Sequence, residues 1–381
     1  MKGLLTVIEN VHVYEPKDLG TSDILLCHEK IAEIGPNLVR LFPKARLIDG
    51  EGLLAIPGYM DQHVHVTGGG GEGGFATRVP ELQLSDCVRA GVTTLVGLLG
   101  TDGITRSIEN LLAKTKALNE EGITAYCLTG SYGYPTLTLT GDVKKDIAFI
   151  QEILGVKIAV SDHRSSHLTK QELVRLVSDV RMAALISGKP GLVVFHLGRG
   201  KEQLDMIFDI ISETELPIKH FRPTHVQKVQ EQAVKFAKMG GYIDFTASSD
   251  SRRSAASIID ALKAGAPLDR ITISTDSNGS SPRWNENNEM VGITAASMDS
   301  LHNVIRFLIQ EQQMSVTDAI SLVTTNVAHA LELNETKGRL HPGYDADILL
   351  LDKGLKIDTV IARGRLLMQS GEVKVKGTFE E

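Results

Sequence analysis

Two histidines one residue apart, His63 and His65, close the run Ile56-Pro57-Gly58-Tyr59-Met60-Asp61-Gln62 and lead into a glycine-dense loop from Gly68 to Gly74. Side chains alternate along an extended segment, so the two imidazoles project to the same side. Neutral imidazole is the commonest protein metal ligand, and this pair reads as half of a metal site. The other half lies far along the chain. Gly191-Leu192-Val193-Val194-Phe195 ends in His196, Phe221-Arg222-Pro223-Thr224 ends in His225, and Ile271-Thr272-Ile273-Ser274-Thr275 ends in Asp276. Each alone reads as an ordinary loop histidine or a capping aspartate. Four imidazoles and a carboxylate, all at the ends of strand-like runs, point to metal-assisted chemistry.

Lys157 is also unusual, because it stands inside the apolar run Val156-Lys157-Ile158-Ala159-Val160. A buried ammonium costs on the order of several kcal/mol unless it is compensated. Two readings stand. The lysine sits at a strand end and reaches solvent along its covered stem, or nearby metal cations depress its pKa and the neutral amine captures carbon dioxide as a carbamate. Such a carbamate carries two oxygens. With four histidines and an aspartate it completes a ligand set for two ions about 3.5–4 Å apart.

A repeated strand–helix unit must position these residues. Short apolar runs at Ala55–Met60, Thr93–Leu99, Thr124–Thr129, Val156–Ser161, Gly191–Phe195, Phe221–Thr224, Tyr242–Thr246 and Ile271–Ser274 alternate with helical patterns such as Val79–Ala90, Ile104–Glu121 and Lys170–Ser187. This alternation predicts an α/β fold, a (β/α)8 TIM barrel over residues 56–334, closed by a helix over Ser315–Leu333. An open doubly wound sheet is the alternative, but no topological switch point can be located. Residues 1–55 and 335–381 carry short β-like runs and are expected to pair into one small β-rich domain.

The 381 residues are 42% hydrophobic and 23% charged, ordinary values for a globular protein, and the net charge of −7 argues against a nucleic-acid partner. Cys27, Cys87 and Cys127 are too few and too scattered for a disulfide framework. No apolar run reaches membrane-spanning length, so a cytoplasmic protein with no membrane partner is expected. Gly68, Gly70 and Gly73 formally match a dinucleotide fingerprint, but they follow two ligand-like histidines and do not open a helix.

His63-Val64-His65 after Pro57-Gly58, together with Lys157, His196, His225, Asp276 and Pro342-Gly343-Tyr344-Asp345-Ala346-Asp347, resembles the amidohydrolase superfamily. Four segments narrow the likeness to the isoaspartyl (β-aspartyl) dipeptidases: Gly69-Gly70-Gly71-Glu72-Gly73, Gly130-Ser131-Tyr132, Ser161-Asp162-His163-Arg164-Ser165-Ser166 and Asp276-Ser277-Asn278-Gly279-Ser280. The resemblance implies a barrel with a β-sandwich-like domain built from both termini, two zinc ions and a homo-oligomer. It further implies that His63, His65 and Asp276 hold one zinc, that His196 and His225 hold the other, and that carboxylated Lys157 bridges them. A metal-bridging hydroxide is then the nucleophile, Asp276 the proton shuttle and Tyr132 the oxyanion donor.

On the substrate side, an isoaspartyl dipeptide presents an α-ammonium, an α-carboxylate and a leaving-residue carboxylate. The resemblance matches Glu72 and Ser280 to the first, Gly70 and Thr101 to the second, and Arg164 to the third. One departure is visible. Where the family pattern has a second arginine, this chain reads Thr224-His225-Val226-Gln227-Lys228, and Lys228 keeps the charge without the planar fork. Cyclic-amide hydrolases of the dihydroorotase and hydantoinase type share the ligands, and a non-catalytic scaffold shares the fold. Glu72 and Arg164 favour the dipeptide.

Overall fold

The computed structural model describes residues 4–284 and 290–380. Eight short strands, β1 (Tyr59–Val64), β2 (Val92–Gly97), β3 (Thr124–Gly130), β4 (Ile153–Val160), β5 (Leu192–Leu197), β6 (Phe221–Thr224), β7 (Ile243–Thr246) and β8 (Ile271–Ser274), pair in chain order as one sheet. Every pairing between neighbours is parallel. Strands β1, β2, β4, β5, β6 and β8 are buried at every residue, as parallel strands covered on both faces must be. The sheet curls until its ends meet: Val64 and Ser277 form a parallel bridge, and the His65 amide donates to the Ser277 carbonyl at 2.9 Å. This is the (β/α)8 barrel that the alternation of runs predicts.

A polar network locks the barrel interior. The Gln62 amide donates to Asp244 Oδ1 at 2.8 Å, while the Thr224 and Ser274 hydroxyls donate to Asp244 Oδ2 at 2.8 and 2.6 Å. These bonds tie β1, β6, β7 and β8 together just below the ends that carry His63, His225 and Asp276. A buried carboxylate is tolerable only because these donors surround it.

The two termini meet in a second sheet of nine strands, in which Leu5–Tyr14, Asp18–Cys27 and Lys30–Gly35 continue through Leu54–Pro57 into Ile348–Leu351, Ile357–Ala362, Arg365–Gln369 and Glu372–Val373. Its core includes Ile8, Val11, Ile24, Ala55, Ile348 and Ile361. The first expected barrel run, Ala55–Met60, is divided between the two sheets. Leu54–Pro57 pairs with Ile348–Leu351, and the barrel strand starts only at Tyr59. The switch falls at Gly58, whose amide donates to Asp347, whereas the next amide, that of Tyr59, donates to Gly91. The strand Leu54–Pro57 therefore straddles the division expected at residues 55 and 56.

Helices also depart from expectation. Ser315–Leu333 is two short helices, Val316–Ser321 and Thr325–Ala330, broken at Thr324, whose non-helical backbone (φ −131°, ψ −90°) accompanies a hydroxyl bond back to the Ile320 carbonyl. Val79–Ala90 is helical only over Leu84–Arg89. A hairpin of Ser280–Trp284 and Met290–Ala295 and a helix over Asp299–Gln310 follow β8 and were not anticipated. That helix buries Leu301, Val304, Ile305 and Leu308, a spacing readable from sequence. No helix among the described residues is long and apolar enough to cross a membrane.

Candidate active site

The strand ends bring His63, His65, Lys157, His196, His225 and Asp276 to one mouth of the barrel. Asp276 Oδ1 lies 3.0 Å from His65 Nε2 and 3.3 Å from His63 Nε2, and Asp276 Oδ2 lies 3.9 Å from His225 Nε2. Ligand atoms of His63, His225 and Asp276 all fall within 4.8 Å of one another. Lys157 is fully buried, and its Nζ lies 3.0 Å from His63 Nε2. The His196 ring stands 4.5 Å from that of His225, centroid to centroid. Its nitrogens have protein partners: the Tyr132 hydroxyl is 2.7 Å from Nδ1, and Arg164 Nη2 is 3.1 Å from Nε2.

Three imidazole nitrogens, His63 Nδ1, His65 Nδ1 and His225 Nε2, are buried without any hydrogen-bond partner. Unpaired buried polar atoms are rare in native structures and call for an explanation. Of these only His225 Nε2 faces Asp276, but the Nε2 atoms of His63 and His65, on the opposite ring edges from the unpaired Nδ1 atoms, face it too, and a group that accepts lone pairs, such as a metal ion, fits these three Nε2 atoms. The electrostatics agree. Burial pushes His63 and His196 down to about 3, and His225 well below the usual range, so these rings are neutral and their lone pairs are available. Burial likewise pulls Lys157 down to about 7, within reach of a neutral, nucleophilic amine. Burial would raise Asp276, but His225, His63 and His65 outweigh it and hold its carboxyl well below the usual range.

Two of these residues sit on backbone that side chains rarely adopt. His225 has φ +61° and Asp276 has φ +55°. His225 directly follows the last residue of its strand and Asp276 is the second residue beyond its own, where the chain leaves the barrel wall. Left-handed backbone outside glycine concentrates at functional sites because surrounding structure has to enforce it. Asp61 supplies part of that enforcement. Its carboxylate accepts the His63 amide at 3.1 Å and both the amide (3.2 Å) and hydroxyl of Thr275, so it staples β1 to the residue just past β8, between His63 and Asp276. Sequence reasoning did not single out Asp61, although alternation places it on the face of His63 and His65. Asp61→Ala is expected to lower unfolding free energy by about 2 kcal/mol, because buried donors lose their acceptor. Urea denaturation of the variant beside the wild type measures this.

The expected substrate residues gather beside the ligand cluster. Glu72 Oε1 accepts the Ser280 hydroxyl and lies 3.6 Å from Arg164 Nη1. Arg164 Nη1 also reaches the Thr101 hydroxyl at 3.3 Å, and its guanidinium stands over the Tyr132 ring, 5.1 Å from the centroid. Asp162, absent from the sequence-based set, fixes this arginine in a bidentate pair of 2.9 and 3.0 Å, and its Oδ2 lies 3.3 Å from His196 Nε2. Burial raises the Tyr132 phenol well above its usual range, so it remains a proton donor.

Gly70 turns at φ +78°, where a Cβ would stand 2.3 Å from the Thr77 carbonyl oxygen, so only glycine fits. Arg106 holds that loop through the carbonyls of Thr67, Gly69 and Val79, another role with no local sequence signal. Lys228 is not among these contacts; its ammonium donates to the Leu197 carbonyl at 2.8 Å, one residue beyond His196.

Comparison with known proteins fits this arrangement. Residues 54–367 match the amidohydrolase family. The β-aspartyl dipeptidase from the thermophilic keratin degrader Fervidobacterium islandicum AW-1, crystallised in complex with β-Asp-Leu dipeptide, is 43% identical; the match covers 99% of this chain and 100% of that one, with a TM-score of 0.92. Dihydropyrimidinase from Brevibacillus agri NCHU1002 is 15% identical at a TM-score of 0.68, covers 98% of this chain and 97% of its own, and shares the fold alone. Adenine deaminase 4 from Rhizobium meliloti (strain 1021) is 21% identical over 374 residues; the alignment takes in 94% of this chain, which spans 56% of that relative's length. With a family match across most of its length and a full-length relative at 43% identity, the chain belongs to the amidohydrolase family, and its nearest resemblance among these proteins is to β-aspartyl dipeptidase.

Proposed function

We propose that this hydrolase cleaves the isopeptide bond of isoaspartyl (β-aspartyl) dipeptides. The observation that carries the reading is the juxtaposition of Glu72 and Arg164, 3.6 Å apart, beside the strand-end ligand cluster. A cyclic amide gives a fixed anion and a fixed cation at this spacing little to bind, whereas a dipeptide with a free ammonium and a leaving-residue carboxylate answers both.

Two zinc ions, one on His63, His65 and Asp276 and the other on His196 and His225 with carboxylated Lys157 between, would supply an activated water and polarise the scissile carbonyl. The chain's own residues do the remainder. Asp276 takes the proton of the attacking water on its carboxylate and returns it to the departing amine nitrogen. The Tyr132 phenol donates to the developing oxyanion, exchanging its present contact with His196 Nδ1. Glu72 and Ser280 bind the α-ammonium, Gly70 and Thr101 meet the α-carboxylate, and Arg164, oriented by Asp162, clamps the leaving carboxylate. Lys228 adds positive charge near His196 as a point charge, without a fork.

The test is hydrolysis of β-Asp-Leu, α-Asp-Leu and dihydroorotate by the zinc-loaded protein. Release of leucine from β-Asp-Leu alone is expected, and cleavage of dihydroorotate alone overturns the reading. Arg164→Lys keeps the charge and loses the bidentate geometry, so kcat/KM for β-Asp-Leu is expected to fall by about 100-fold, with KM carrying much of the loss. Steady-state kinetics on the variant checks this.

A further inference from the structure

The glycine run at residues 68–71 has no side chains to fix the planes of its peptides, so another part of the chain must set which way each amide points. Arg106 does this from the loop after β2. Its buried guanidinium donates to the carbonyls of Thr67, Gly69 (3.3 Å) and Val79 (2.8 Å). The Gly69 carbonyl also accepts the Val79 amide at 2.9 Å. Across a trans peptide the carbonyl and the next amide point in opposite directions. Anchoring the Gly69 oxygen on Arg106 therefore aims the Gly70 N–H the other way.

Gly70 is buried, and its amide has no acceptor among the described residues. The bridge between Gly70 and Arg78 is made by their neighbours' bonds: the Gly71 amide donates to the Thr77 carbonyl at 3.2 Å, and the Val79 amide to Gly69. Such a pair leaves the Gly70 N–H facing away from the returning strand. A buried, unpaired backbone N–H is rare and marks a place for an acceptor. A second donor stands on the neighbouring loop. The Thr101 hydroxyl accepts from Arg164 Nη1 at 3.3 Å, which leaves its own proton to give. The two loops adjoin one residue further on, where a Cβ on Gly71 would lie 3.6 Å from Asp102 Cβ. Asp102 in turn faces Arg106 Nε at 4.0 Å and Arg78 Nε at 3.7 Å, which closes the link between the loops.

We infer that Arg106 is a positioning residue for recognition of the substrate's α-carboxylate. It holds the Gly69–Gly70 peptide in the orientation that presents the Gly70 amide to that carboxylate, beside the Thr101 hydroxyl. The inference rests on the isoaspartyl reading above. Arg106 acts through the loop and does not itself touch the substrate. A lysine in its place keeps the charge but not the planar fork that reaches three carbonyls at once, so the glycine peptide is released to turn. Arg106 bonds to none of the strand-end ligand candidates, so its effect on selectivity is separable from the chemistry.

The experiment measures kcat/KM of the zinc-loaded protein on β-Asp-Leu, on β-Ala-Leu, which lacks the α-carboxylate, and on N-succinyl-Leu, which lacks the α-ammonium. A carboxylate held by two hydrogen bonds supports a wild-type ratio of β-Asp-Leu to β-Ala-Leu of about 100-fold. In Arg106→Lys that ratio is expected to fall to about tenfold, the share left to the Thr101 hydroxyl. The ratio of β-Asp-Leu to N-succinyl-Leu, which reports on Glu72, is expected to stay within about twofold of the wild type. Guanidinium added to Arg106→Ala is expected to restore part of the first ratio by re-forming bonds to the loop carbonyls. These ratios compare substrates on one preparation, so a partly folded variant does not distort them. A merely structural role for Arg106 slows all three substrates by one factor and leaves both ratios unchanged. That result, an equal fall in both ratios, or a wild-type ratio of β-Asp-Leu to β-Ala-Leu near one overturns the positioning role while leaving isoaspartyl hydrolysis intact. If the wild type does not cleave β-Asp-Leu, the isoaspartyl reading fails and the inference fails with it.

Discussion

Lys157→Ala is expected to lose activity on β-Asp-Leu by on the order of 10⁴-fold, the scale seen when one member of a catalytic unit is removed, and to regain part of it with formate or propionate. The side chain is fully buried in β4, with its Nζ 3.0 Å from His63 Nε2. A permanent ammonium at that place could donate to the imidazole lone pair but would be far from water, and its burial disfavours the charge. Burial instead pulls its pKa to about 7, so near neutrality much of it is free amine, the form that captures carbon dioxide. Such a carbamate would be anionic and, beside neutral imidazoles, would suit a cation. Alanine removes the bridge and leaves room for a small carboxylate to replace it. Rescue separates this role from a structural one, because a merely misfolded variant gains nothing from formate. An active, unrescued Lys157→Ala enzyme contradicts the bridging role.

Asp276→Asn is expected to lower kcat by a comparable factor, on the order of 10⁴-fold, with kcat and kcat/KM falling together. The substitution is isosteric, and one oxygen can still lie beside His63 and His65. The carboxylate's negative charge and its ability to carry a proton are lost. Asp276 is the sole carboxylate among the ligand atoms grouped with His63 and His225, and three histidines hold it ionised against its burial. An amide cannot accept the proton of the attacking water, so the loss belongs to the chemical step. Single-turnover kinetics on β-Asp-Leu separates that from binding; a normal chemical rate with a raised KM contradicts the shuttle role.

The sequence made the barrel and the five strand-end ligand candidates legible for a physical reason. Parallel strands buried on both faces appear as short apolar runs, and the residue after each run must emerge at one mouth. Lys157 was legible as an anomaly within such a run. What stayed hidden depends on contacts between distant segments. The 3.6 Å approach of Glu72 to Arg164 joins the loop after β1 to the loop after β4. Asp162 gains its meaning only from Arg164 and His196 together, and Arg106 acts through carbonyls of a loop nearly forty residues earlier. Asp61 is an instructive case, since the period-two face it shares with His63 was available and the staple to Thr275 was not. The split of Leu54–Pro57 from β1 was also concealed, because both segments are apolar and Gly58 between them carries no local sign of which sheet each joins.

The most direct measurement is a zinc titration of the chelator-treated protein, read at the same time as metal bound per chain and as the rate of leucine release from β-Asp-Leu in bicarbonate buffer. The account predicts that activity is absent without metal, rises with loading and levels off at about two zinc ions per chain, as a two-metal hydrolase requires. Saturation below one ion per chain, or undiminished hydrolysis by the metal-free protein, would contradict it.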